Sequence, residues 1–149
     1  MKIIAIDPGK AGGLAYFDGK EVITRKYTTE HEFTDHILSL PLSESVAVFE
    51  DVPVFVSSAT SSSSSFKLGY NYGFQVGVLR SLKVSVNLVK PQIWQKGLSG
   101  LRPKMGYTDR KRMLKCNASR LFPNQKVTHA VADALLILHW FAEKKNIIL

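Results

Sequence analysis

The distribution of apolar positions divides the chain into strands first and helices afterwards. Residues 2–7, KIIAID, are an almost unbroken apolar run closed by Pro8 and Gly9, which reads as a mostly buried strand. Gly12 to Phe17 reads as a second strand and Glu21 to Tyr27 as a third. Between them Asp18-Gly19 predicts a hairpin turn in which both central residues take positive φ. The spacing of Phe33, Ile37, Leu38 and Leu40 predicts an amphipathic helix over 30–39, stopped by Pro41. Ser45 to Phe49, SVAVF, is again a buried strand and leads into Glu50-Asp51. Residues 57–65, SSATSSSSS, have too little apolar surface to pack and read as a flexible loop whose last serines cap a helix over 66–82. Val84 to Val89 reads as a strand closed by Pro91, and residues 91–97 as a short helix. Residues 98–107 read as a loop. A helix capped by Thr108 or Asp109 runs to Phe122, and a last apolar helix covers 128–144.

The order of the principal elements is therefore β-β-β-α-β-α-β-α-α. An antiparallel meander followed by alternating helices and strands predicts an α/β fold. It is a mixed five-stranded sheet, meander first and parallel strands after, with helices on both faces. The ribonuclease-H-like fold leads among the few folds with this order. No linker divides the chain, so residues 1–149 read as one domain, and 45% hydrophobic residues are enough for one core.

Charge changes this picture more than composition does. The formal net charge is +8, and residues 101–120 hold seven basic side chains against the single acid Asp109. Arg102, Lys104, Arg110, Lys111, Arg112 and Lys115 are candidate contacts to a polyanion, nucleic acid being the commonest one. In the helix they enter, Leu114, Ala118 and Leu121 share one face, and Lys111, Arg112 and Lys115 are expected opposite. The single cysteine, Cys116, excludes an internal disulfide and reads as a small buried filler. No apolar run is long enough to span a bilayer, and MKIIAID does not resemble a secretory leader.

Three carboxylates stand at positions where an unpaired charge is costly. Asp7 ends the first strand, Glu50 ends SVAVF, and Asp133 interrupts the apolar helix AVADALLIL. Each has an ordinary reading on its own: a turn-former before Pro8, a partner for a lysine, an exposed helix position. If the first and fourth strands are neighbours, two of the carboxylates meet at one sheet edge and the last helix can lay Asp133 across them. His129 lies one helical turn before Asp133, on the same face. Such a set suits hard divalent cations, two Mg²⁺ or Mn²⁺ ions for phosphodiester hydrolysis. Gly69, Gly73 and Gly77 form one stripe of the predicted 66–82 helix, fitting close approach either to the protein's own sheet or to a partner helix.

These segments together resemble the RuvC-type Holliday-junction resolvases. IAIDPGKAGGLAYF resembles the first motif of that family, an aspartate ending strand one before a glycine-rich turn, and VAVFEDVP resembles the second, with its glutamate. SSSSFKLGYNYGFQVGVL, VNLVKPQIWQK and HAVADALLILHW resemble the following helix, strand and turn, and final helix. The match runs nearly the whole chain in order, and the short length resembles the phage and other viral members. The resemblance implies Asp7, Glu50 and Asp133 as metal-binding catalytic residues. His129 stands where the family usually has a fourth acid, as a ligand or proton-transfer group. It further implies a homodimer joined through the glycine helix, branched DNA as substrate, paired nicks in four-way junctions, and a role for Phe55 at the junction centre. The cytoplasm of a bacterial or phage-infected cell is the expected location. A catalytically inactive junction-binding module and an RNA-processing nuclease of the YqgF type are the alternatives. A nucleotide-binding reading of DPGKAGG would require a second domain.

Overall fold

In a computed structural model, residues 1–9, 11–51 and 61–149 are described. The first three strands are β1 (Lys2–Asp7), β2 (Gly13–Phe17) and β3 (Val22–Lys26), and they form the expected meander. Helix α1 (Glu30–Ser39) follows, with the Thr29 hydroxyl accepting from the Glu32 backbone N–H at its start. Strands β4 (Ser45–Glu50) and β5 (Ser85–Val89) extend the sheet in parallel, giving the order β3-β2-β1-β4-β5. The mixed sheet is the one predicted from element order.

β1 is apolar from Ile3 to Ile6 because both its faces are covered. Ile3 and Ala5 face one core with Val48, Trp94, Leu114 and Leu135, while Ile4 and Ile6 face another with Phe33, Ile37, Phe49 and Leu79. The first core is closed by α3 (Pro91–Trp94), α4 (Tyr107–Leu121) and α5 (His129–Lys144), the second by α1 and α2 (Ser62–Ser81). Helices therefore lie on both faces. Among the described residues no helix is long and apolar enough to cross a membrane.

Several local expectations are corrected. The turn at Asp18-Gly19 is not the tight two-residue type, since only Gly19 has positive φ. The Asp18 carboxylate instead accepts from the N–H groups of Lys20 and Glu21, so a side chain closes a longer loop. The last serines of the polar run are helical. Ser61 is the cap, accepting from the Ser64 N–H, and residues 62–65 form the first turn of α2, whereas 57–60 lie outside the described residues. Gly106, not Thr108 or Asp109, precedes α4, which has no side-chain cap. Cys116 is exposed, because Asn117 and Ala118 occupy the inward positions beside it. Leu38 also faces outward, leaving Phe33 and Ile37 as the buried positions of α1.

Candidate active site

The parallel register of β1 and β4 pairs Ile6 with Phe49, so Asp7 and Glu50 come next at the carboxyl ends of adjacent strands. Neighbouring strands are about 4.8 Å apart. Side chains alternate, so both carboxylates share the face of Ala5 and Val48, the face covered by α5. Asp133, on the second turn of α5, is buried there with 4% of its surface exposed. The three predicted carboxylates therefore meet at one edge of the sheet.

Two glycines permit this approach. A Cβ on Gly12 would lie 2.3 Å from the carbonyl oxygen of Asp7 and 2.9 Å from its carboxyl carbon. One on Gly13 would lie 2.5 Å from the Arg25 carbonyl and 2.8 Å from that of Ala130 in the first turn of α5. The bare backbone at Gly13 thus sets how near α5, and with it Asp133, comes to the sheet. Sequence reading placed this pair only at the start of the second strand, because the contact with Ala130 is far away along the chain.

The turn after β1 steadies Asp7. The Gly9 N–H donates to Asp7 Oδ1 at 3.2 Å, and the Gly12 N–H donates to the Gly9 carbonyl at 2.8 Å. Glu50 is held by a residue the sequence did not single out: the indole N–H of buried Trp94 donates to Glu50 Oε2 at 3.1 Å. A tryptophan in a short helix directly after β5 was the available signal. Asp133 Oδ2 accepts from Lys111 Nζ at 2.5 Å, while Asp133 Oδ1 is buried without a hydrogen-bond partner among the described residues. Lys111 is therefore not on the free polar face expected for it, because its side chain turns from α4 toward α5.

Electrostatics follow from this crowding. Burial, then the charges of Asp7 and Asp133, push the Glu50 carboxyl up to about 8 from 4.5, against the pull of Lys111 and the Trp94 hydrogen bond. Burial, then Asp133, also raises Asp7, opposed by Lys111 and the Gly9 N–H. Burial lowers Lys111, but attraction to Asp133 and Asp7 and its hydrogen bond to Asp133 outweigh it, so the ammonium is held charged.

Three crowded carboxylates, one with an orphaned oxygen, form a donor set that fits a hard divalent cation. As arranged, no three carboxylate or histidine side chains among the described residues close into a metal-holding group. The positive charge among them is that of Lys111.

The remaining candidates are placed variously. His129 is exposed at the first position of α5. Arg102, Lys104 and Arg112 are exposed, the last paired with Asp109 at 3.1 Å. Lys115 is partly buried, and Arg110 is tied to the side chain of Gln95 at 3.0 Å and to the Arg102 carbonyl. Phe55 lies outside the described residues. Among the described residues a Cβ on Gly69, Gly73 or Gly77 would meet nothing within 4 Å, so the stripe does not serve packing against the protein's own sheet. Exposed Phe66 and Tyr70 stack beside it at 6.3 Å.

The meander, the two parallel strands and the helices on both faces define an α/β fold of the ribonuclease-H-like type. Within that class the chain is RuvC-like in fold. A RuvC structure from Thermus thermophilus matches 98% of this chain and 97% of its own length, at TM-score 0.61 and 16% identity. T. thermophilus RuvC in complex with Holliday junction substrate matches over 97% and 96%, at TM-score 0.64 and 15% identity. At such identity the likeness is one of fold. No family model and no curated protein sequence matches the chain.

Proposed function

We propose that this protein is a divalent-metal-dependent DNA endonuclease that resolves four-way junctions by paired, symmetric nicks. The observation that carries the reading is the meeting of Asp7, Glu50 and Asp133 at the carboxyl edge of β1 and β4 under α5. Support also comes from the RuvC-like fold, one of whose solved examples is bound to a Holliday junction. Asp7, Glu50 and Asp133 would hold Mg²⁺ or Mn²⁺, two ions per site. When bound, the metal would activate water for in-line attack and stabilise the leaving oxygen. Trp94 orients Glu50, the Gly9 N–H orients Asp7, and burial between α5 and the sheet limits bulk water at Asp133. His129, at the rim, would complete the ligand set or move a proton.

Arg102, Lys104, Arg112 and Lys115, with Lys111 and Arg110 nearer the protein, would hold phosphates on the junction arms, and Phe55 would act near its centre. Phosphate contacts position a duplex without reading its sequence, and their contribution falls steeply with salt. The Gly69–Gly73–Gly77 stripe with Phe66 and Tyr70 is an open helix face suited to a second copy of the chain, which would bring two active sites to one junction.

The test is cleavage of an end-labelled synthetic four-way junction in Mg²⁺ or Mn²⁺, with linear duplex as control and Asp7→Asn alongside. Paired nicks in the junction, lost in Asp7→Asn, support the reading, whereas binding without nicks in either metal would overturn it. The lysine lodged beside Asp133 favours one second reading, a junction-binding module without cleavage, and that second outcome is what it predicts.

A further inference from the structure

Lys111 is set apart from the other basic residues of its segment. Its Nζ lies 2.5 Å from Asp133 Oδ2, with side-chain exposures of 26% and 6% for the pair, whereas Arg112 and Asp109 meet at 69% and 62% exposure. The ammonium is also 6.0 Å from the ring centroid of Tyr107, one turn earlier on α4. It acts on three carboxylates at once, since Asp7 and Glu50 both feel it as well as each other or Asp133.

Stability alone is a poor account of this pair. A buried ion pair returns little net stability, because desolvating both charges offsets their attraction. One ammonium cannot pair with three carboxyl groups, and it leaves Asp133 Oδ1 without a partner among the described residues. The cluster offers more oxygen donors than a lysine can use, and a divalent cation would use them. A cation binding there would compete with the ammonium for Asp133 Oδ2. The lysine stem is flexible and its side chain is partly exposed, so it can swing outward without moving α4.

We propose that Lys111 is the resident counter-ion of the carboxylate cluster, holding the place of a divalent cation in the metal-free protein and released from Asp133 when one binds. This rests on the reading of Asp7, Glu50 and Asp133 as metal ligands. Once released, the ammonium joins the exposed basic residues of α4 and becomes free to meet a DNA phosphate. Metal and junction then strengthen each other's binding by the same factor, as linkage requires. Lys111 is a positioning residue here, acting through the carboxylates it neutralises.

The experiment uses Ca²⁺ and an intact four-way junction as probes. Calorimetry on the metal-free protein compares the unaltered chain with Lys111→Met, Lys111→Arg and Asp133→Asn. Lys111→Met is expected to bind Ca²⁺ about tenfold more tightly, Lys111→Arg to stay near the unaltered protein, and Asp133→Asn to bind weakly. Saturating Ca²⁺ should tighten junction binding several-fold in the unaltered protein and leave it nearly unchanged in Lys111→Met. Should Lys111→Met fail to fold, the ¹⁵N signal of the Lys111 ammonium in the unaltered protein decides. It should be protected without metal and lose that protection on Ca²⁺ saturation. Equal or weaker Ca²⁺ binding by Lys111→Met, or an ammonium signal indifferent to bound Ca²⁺, overturns the counter-ion role alone. No Ca²⁺ binding by the unaltered protein, or binding untouched by Asp133→Asn, overturns the metal-ligand reading and the counter-ion role with it.

Discussion

Replacing Glu50 by glutamine should make the metal-free protein more stable at alkaline pH. The carboxyl of Glu50 is pushed up to about 8 from 4.5, chiefly by burial and then by Asp7 and Asp133. A carboxyl raised on folding binds its proton more tightly in the native state than in the unfolded one. Stability is therefore full below about pH 4.5 and is lost as pH rises toward 8. The ceiling on that loss is roughly 5 kcal/mol, at about 1.4 kcal/mol for each tenfold change in proton affinity. Partial exposure, and the option of placing the proton on Asp7 instead, bring the expected figure to about 2–3 kcal/mol. Glutamine removes the charge and can still accept from the Trp94 indole, so the hydrogen bond is kept. For a chain of this size, about 2–4 °C of Tm accompanies each kcal/mol. Thermal melts in EDTA at pH 5, 6.5 and 8 should show Glu50→Gln about 5–10 °C above the unaltered protein at pH 8, and nearly level at pH 5. A lower Tm for Glu50→Gln at pH 8 would refute the reasoning, since it would mean the carboxylate is stabilised rather than strained where it sits.

Gly13→Ala should cost about 1–3 kcal/mol and suppress nicking, because the added methyl meets the Arg25 and Ala130 carbonyls at 2.5 and 2.8 Å and lifts α5 from the sheet; denaturant melts beside the junction assay check both effects. Trp94→Phe deletes the donor to Glu50 while keeping an aromatic ring, and should lower stability by about 1–2 kcal/mol at pH 9, where Glu50 is ionised, with a smaller loss at pH 5, as read by urea unfolding. Gly73→Glu places a charge on the open face of α2 and should convert the proposed dimer into a monomer in sedimentation equilibrium while leaving the far-UV spectrum almost unchanged.

Much of the architecture was legible because it rests on patterns local to the chain. The apolar run of β1, the Pro-Gly stop after Asp7 and the run SVAVF ending at Glu50 each announce a buried strand ending in a carboxylate, and Asp133 announces itself by interrupting an apolar helix. What was not legible are contacts between elements distant along the chain. Trp94 meets Glu50, Lys111 meets Asp133, and Gly13 meets Ala130 only once the sheet and helices have packed. Lys111 also misled by periodicity, since it lies at the edge of the polar face of α4, and a long side chain at such an edge can turn either way. Cys116 misled by residue type, because the inward positions there are filled by Asn117 and Ala118. Asn117 Oδ1 accepts from the Ser99 N–H, and its side-chain amide donates to the carbonyls of Ser99 and Met113.

The placement of Asp133 on α5 also bears on how the protein comes into being. Asp7 is made well before its partner on α5, which follows every other described element along the chain. α5 also buries Val131, Leu135, Leu138 and Phe141 against the sheet, so its docking closes the core shared with β1 and β4. A nascent chain short of this helix has neither a complete core nor a complete carboxylate cluster. The proposed capacity to cut DNA would thus arrive in the same step as stability, and chains truncated before α5 would lack both.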